Sequence, residues 1–270
     1  MNNGSAMWNE EDHPRDEQGR FTNGGAKEWR QNTPYEEIMN KHLTVFTESD
    51  MIKEKLWQGK SLSDEEIYEE SARYSQKYQF DAMRRSGKQD ECLREILKTR
   101  GWDKPPQKIS ASSLLEKLRD GDFVYRGLSQ RKYVNDFYNG ELFVGQGPIF
   151  GNGIYVSFDK NESLCYSNGE KTNVAVAVLP RDIKIAPEDL KAKHGRFLNF
   201  LRQKMDEAKT TEEYDLAENQ YNMMRDFGKY CALKGYEAYS SQKGKNLVLL
   251  NRNILFVGEN NEQERVLADD

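Results

Sequence analysis

Residues 147–167 read GPIFGNGIYVSFDKNESLCYS, a stretch that gathers glycines, hydroxyls and aromatic rings more densely than a plain structural segment needs. Gly151 and Gly153 bracket Asn152, residue types at which a backbone with positive φ costs least. Ile154, Tyr155 and Val156 follow as a short β-prone run. Asp159, Asn161 and Ser163 favour a helix start, and Leu164, Cys165 and Tyr166 add apolar and aromatic faces. The pattern predicts a buried strand whose tip opens onto a cleft, with a helix or turn folding back over it. The same composition also suits a glycine-rich turn before an ordinary helix, and a lone glycine loop does not choose between them.

Other chemistry is excluded more easily. The three histidines, His13, His42 and His194, are scattered, which leaves no metal site and no Ser-His-Asp triad. There is no GxxxxGK[ST] loop and no strand-anchored GxGxxG. Cys92, Cys165 and Cys231 are odd in number and widely spaced, which argues against a disulfide framework and fits a reducing compartment. A net charge of −5 argues against a broad electrostatic grip on nucleic acid. No apolar run approaches membrane-spanning length and the start lacks a signal-peptide pattern, so the expectation is a soluble chain with no membrane partner.

The elements that must position these groups fall into four regions of the 270 residues. Residues 1–33 read as a disordered tail, polar and without hydrophobic periodicity. Residues 34–104 read as helical: Tyr35, Ile38, Met39, His42, Leu43 and Phe46 recur at helical spacing. Ser63 and Glu66 form a capping box, and a further helix over 89–100 ends at Gly101. Lys104-Pro105-Pro106 breaks the pattern and marks the expected domain boundary. Residues 105–258 alternate strands with helices, which predicts an α+β domain with mixed sheets. The strands are expected at 123–127, 154–156, 173–179, 183–185, 247–250 and 254–257. Helices are expected at 111–119, 133–138, from 187 and over 211–233, with a turn at Asp120-Gly121-Asp122. Residues 259–270 read as an acidic tail.

Taken together the strand segments say more. VYRG at 124–127, FGNGIYVSFDKNESLCYS at 150–167 and GYEAY…NLVLLNR from 235 to 252 resemble the catalytic fold of the ADP-ribosyltransferases. The middle segment is similar to the poly(ADP-ribose) polymerase branch, whose signature runs FGKGIYF, with a serine eight residues after the tyrosine and a second tyrosine three further on. Tyr155, Ser163 and Tyr166 stand at those spacings. VYRG is similar instead to the toxin-like branch, which begins with an arginine on the first strand. Asn251-Arg252 resembles the end of the transferase-like domains of phage minor head proteins, and WNEEDHPRDEQGRFTNGG near the start resembles tails and linkers of phage structural proteins.

The resemblance implies a split mixed β-sheet core behind an N-terminal helical region, with NAD as substrate and no metal. It places Gly127 against the nicotinamide carboxamide through its backbone, Ser163 on the same carboxamide, Tyr166 stacked on the ring and Tyr155 on the opposite wall, with Asn152 in the lining loop. Arg126 would take the pyrophosphate or adenosine ribose, since a guanidinium suits phosphate. The family's catalytic glutamate begins the late strand, and here that position is Asn246. Glu237, in the Gly235-Tyr236-Glu237 turn, is the nearest candidate for a substitute carboxylate, and an exposed turn carboxylate with no such role is the favoured alternative. Family branches with an uncharged residue there transfer a single ADP-ribose. The expectation is therefore an NAD-dependent mono-ADP-ribosyltransferase, phage- or prophage-encoded, acting in a bacterial host cytoplasm or on the virion. Its acceptor would be a host protein, with nucleic acid as the alternative. The competing expectations are an inactive NAD- or ADP-ribose-binding module and a phage head-associated structural protein.

Overall fold

A short helix, α1 (residues 50–57), leads to Ser63, whose side chain accepts from the Glu66 N–H while Glu66 reaches back to the Ser63 N–H. This capping box starts α2 (Asp64–Lys77), as its spacing predicts. Asp90 caps α3 (Glu91–Thr99) by accepting from the Leu93 N–H, and the chain leaves that helix through Gly101 at φ 70°. The structure is a computed structural model that describes residues 50–78, 90–139, 151–241 and 246–259. The tail 1–33, the helical repeat from Tyr35 to Phe46 and residues 260–270 lie outside it.

After Pro106 strands and helices alternate. They are β1 (Gln107–Ile109), α4 (Ala111–Arg119), β2 (Gly121–Gly127), α5 (Arg131–Asn139), β3 (Ile154–Ser157), α6 (Lys160–Tyr166), β4 (Val174–Pro180) and β5 (Ile185–Ala186), then α7 (Asp189–Asp206), α8 (Thr211–Met224), α9 (Phe227–Leu233), β6 (Ala238–Ser241), β7 (Asn246–Leu249) and β8 (Phe256–Gly258). The strands form one mixed sheet in the order β1-β8-β4-β2-β3-β7-β6-β5. β1–β8 and β5–β6 pair in parallel and the other pairs are antiparallel, so the fold class is α+β. Central β4, VAVAVLP, is buried along nearly its whole length, which its continuous apolar run requires.

The sheet is two half-sheets held at one point. β2 pairs with β4 from Gly121–Pro180 to Gly127–Val174, and β3 pairs with β7 from Ile154–Leu249 to Ser157–Asn246. Between β2 and β3 only Tyr125 and Ser157 pair.

Several expectations change. Asp120-Gly121-Asp122 is not a free turn, because β2 already pairs with β4 at Gly121. The helix expected over 211–233 breaks at Asp226, which adopts an extended backbone and caps α9 by accepting from the Gly228 N–H. β1 and β6 are strands too short for their alternation to be read. The boundary expected at Lys104–Pro106 falls inside one unit that runs from Met51 onward. Leu56, Ile67, Tyr74 and Ile96 share their core with Tyr230 and Leu233 of α9. Arg100 ties this region together: its guanidinium donates to the carbonyls of Lys60 (2.9 Å) and Leu233 (2.8 Å), near the ends of α1 and α9.

Candidate functional site

The limited pairing between β2 and β3 follows from ladder geometry. In an antiparallel ladder the backbone groups of successive residues face alternate neighbours. The Leu128 N–H donates to the Asn173 carbonyl at 2.9 Å, in register with Gly127–Val174 pairing, so the even residues of β2 serve β4. Tyr125 and Gly127 therefore turn their N–H and C=O toward β3. Tyr125 meets Ser157 there, and the next positions in register are Gly127 and Tyr155, just past the last paired residues. Two backbones thus face each other across the start of the split.

Helix α6 lies over this point. Asp159 starts it by accepting from the Asn161 N–H at 2.8 Å. A Cβ placed on Gly127 would stand 1.8 Å from the Ser163 carbonyl oxygen, a backbone atom with little room to yield. Glycine is thus required for α6 to close onto β2, whereas the expected reason was the approach of a ligand. Ser163 is buried, and its hydroxyl forms no hydrogen bond among the described residues. Tyr166 begins beside Gly127 and is 66% exposed.

Arg126 occupies the other side. Neighbouring residues of a strand point to opposite faces, so its side chain leaves the sheet away from the α6 face. Its Nη1 reaches the Tyr155 carbonyl at a long 3.5 Å, and no carboxylate pairs with it among the described residues. Burial, with the Arg252 guanidinium acting second, lowers it to about 10, so it stays charged at neutral pH. Arg252 is itself 1% exposed. The sequence shows this arginine only as part of the LNR ending; that it faces Arg126 depends on pairing between distant strands.

Tyr155 donates its hydroxyl to the Gly151 carbonyl. Burial, reinforced by the Asp226 carboxylate, raises the phenol to about 12, which keeps it a proton donor rather than a base. Gly151 takes φ 97°, as the GNG pattern predicts, and a Cβ there would meet the Tyr239 hydroxyl at 2.6 Å.

Asn152 is committed elsewhere. Its amide donates to Asp90 at 2.8 Å, its N–H to Asp226 at 2.8 Å, and its carbonyl accepts from the Tyr239 hydroxyl at 3.0 Å. Buried Lys229 completes this cluster, 2.6 Å from Asp90 and 3.9 Å from Asp226. Burial pushes the Asp90 carboxyl up, but Lys229 and the Leu93 and Asn152 donors outweigh it and hold it below its usual range. For Asp226 burial prevails and the carboxyl is raised. Asn152 therefore fastens the GNG loop to α3 and α9, and its amide is committed to Asp90.

Glu237 and Asn246 do not meet. Ala238 pairs with Leu249 and Ser241 with Asn246, which puts Glu237 four residue steps, about 13 Å, from the Asn246 end. Its oxygens accept from the Lys184 N–H (3.1 Å) and the Asn251 amide (2.8 Å), a structural tie at the start of β6. Asn246 instead donates to Glu162 of α6 at 2.7 Å, and the Ser157 hydroxyl donates to the other Glu162 oxygen at 3.0 Å. Glu162 is the partner of Asn246 that sequence reasoning did not single out. Its only local sign is a carboxylate one position before Ser163; its partnership with Asn246 rests on the β3–β7 register.

Among the described residues no group of His, Cys, Asp and Glu side chains could hold a metal ion, and no helix is long and apolar enough to cross a membrane. No protein-family model, curated protein or solved structure matches the chain.

Proposed function

We propose that this chain is an NAD-dependent mono-ADP-ribosyltransferase whose substrate lies in the split between β2 and β3. The observation that carries the reading is the abrupt end of β2–β3 pairing at Tyr125–Ser157, with α6 laid over the gap. The groups around it suit the parts of NAD. A carboxamide needs a donor and an acceptor, which the Gly127 backbone and the uncommitted Ser163 hydroxyl supply. A flat ring needs an open aromatic face, and Tyr166 has one. A pyrophosphate needs a cation, and Arg126, which no carboxylate pairs among the described residues, answers that need. Substrate binding there would release nicotinamide and pass ADP-ribose to a macromolecule of a bacterial host, the protein being phage- or prophage-encoded.

The decisive experiment incubates the full chain with NAD labelled in the adenylate and with bacterial lysate. Label on a macromolecule together with free nicotinamide is the expected outcome, and Tyr166→Ala should weaken NAD binding without lowering Tm. Binding in calorimetry without nicotinamide release would favour the second reading, a non-catalytic NAD- or ADP-ribose-binding module, for which uncharged Asn246 on β7 is the specific observation. No NAD binding would remove both.

A further inference from the structure

Cleavage of a glycosidic bond to a cationic leaving group builds positive charge on the sugar, and a nearby carboxylate stabilises it. The strand position that resemblance assigns to this carboxylate holds Asn246, and Glu237 is tied at the far end of the strand. A carboxylate nonetheless stands beside Asn246. Glu162 comes from α6 rather than from the sheet, one residue before the serine that closes on Gly127. One of its oxygens is held by Ser157 and the other by Asn246, from paired positions on β3 and β7. No lysine or arginine pairs with it among the described residues.

The orientation of Asn246 is determined by this contact. Turning the amide over would set its carbonyl oxygen against a carboxylate, so the NH2 must face Glu162. Asn246 Oδ1 is then left buried with no hydrogen-bond partner. A buried acceptor without a donor costs free energy, and a ribose hydroxyl is a donor of the right kind.

We infer that Glu162 is the catalytic carboxylate of this protein, supplied from α6 in place of the late strand, with Asn246 as its positioning residue and an acceptor for a ribose hydroxyl. The inference rests on the NAD-cleaving reading above. In the step, the bond between ribose C1 and the nicotinamide nitrogen breaks and its electron pair neutralises the pyridinium. Glu162 stabilises the cation left on the ribose. Water or an acceptor side chain then bonds to C1, and its proton passes to Glu162 and on to solvent.

The test measures nicotinamide release and NAD binding for the full chain, Glu162→Gln, Asn246→Glu and the double variant Glu162→Gln/Asn246→Glu, with Tm for each. Glu162→Gln keeps the size and the Asn246 bond, with the Ser157 contact reversed so that the hydroxyl accepts, so kcat is expected to fall about a hundredfold with NAD affinity nearly unchanged. The double variant returns a carboxylate to the same place from β7 and should recover about tenfold or more of that loss. Glu162→Gln turning over within threefold of the full chain would overturn the assignment while leaving the transferase reading intact. A folded double variant that recovers nothing would also count against it. If the full chain binds NAD but releases no nicotinamide, both the assignment and the transferase reading fall, and the absence of binding removes the NAD site altogether.

Discussion

At Gly127 a single methyl group decides whether α6 can lie on β2. Gly127→Ala is expected to cost about 1–3 kcal/mol by overpacking against the Ser163 carbonyl and to abolish NAD affinity, measurable by thermal unfolding beside calorimetry. The two buried aspartates around Lys229 should behave unequally. Asp90 holds the ammonium at 2.6 Å, so Asp90→Asn is expected to cost about 3 kcal/mol through an uncompensated buried charge. Asp226 stands 3.9 Å away with its carboxyl already raised and one oxygen unpartnered, so Asp226→Asn should cost less than about 1 kcal/mol in the same denaturant titration. Residue by residue, what the sequence made legible is the placement of Tyr155, Ser163 and Tyr166 on a short strand and a following helix, which the local pattern itself announces. The lining place that the resemblance gives Asn152 does not reveal its partners, which lie at the start of α3 and α9, far away in the chain. Glu162 passed unnoticed because a carboxylate on a short polar helix reads as solvated until β7 is laid beside β3.

At the scale of elements, helix ends were readable and helix breaks were not. The Ser63–Glu66 box names its own boundary, whereas Asp226 breaks the 211–233 run only because its carboxylate is needed beneath the GNG loop. The C-terminal carbonyls near α1 and α9 depend on Arg100, whose guanidinium spans them. Arg100→Met is expected to cost about 2–3 kcal/mol, seen as a lower denaturation midpoint, by leaving buried carbonyls unpaired. The junction of α7, α8 and α9 carries a pH dependence. His194 Nε2–H donates to the Met224 carbonyl at 2.8 Å at the end of α8, among the rings of Phe227 and Tyr230. Burial lowers its pKa below 6.5, partly offset by that carbonyl. The depressed group contributes stability that is complete above the unfolded value and is lost as pH falls through the folded one. The drop in Tm on acidification from about pH 7.5 to 5 should therefore shrink in His194→Gln, which keeps the bond but cannot take up a proton.

For the whole molecule, the helical segment before Pro105 is part of the core that carries the sheet. The sequence suggests separation because a proline pair interrupts the pattern, but Leu56, Ile67 and Tyr74 are buried with Tyr230 and Leu233. A chain beginning at residue 105 is expected to lack a cooperative thermal transition, since its α9 face would be open to water. The GNG loop draws these distant parts together in a way that sets the order of folding. Asn152 reaches back 62 residues to Asp90 and forward 74 residues to Asp226 and 87 to Tyr239, so none of its bonds is local. Contacts of such long sequence separation form after the helices and hairpins that carry them. Asn152→Ala should then speed unfolding and leave the refolding rate almost unchanged in stopped-flow chevrons. The GNG loop, first to catch the eye in the sequence, is expected to be the last piece of the molecule to set and the first to let go.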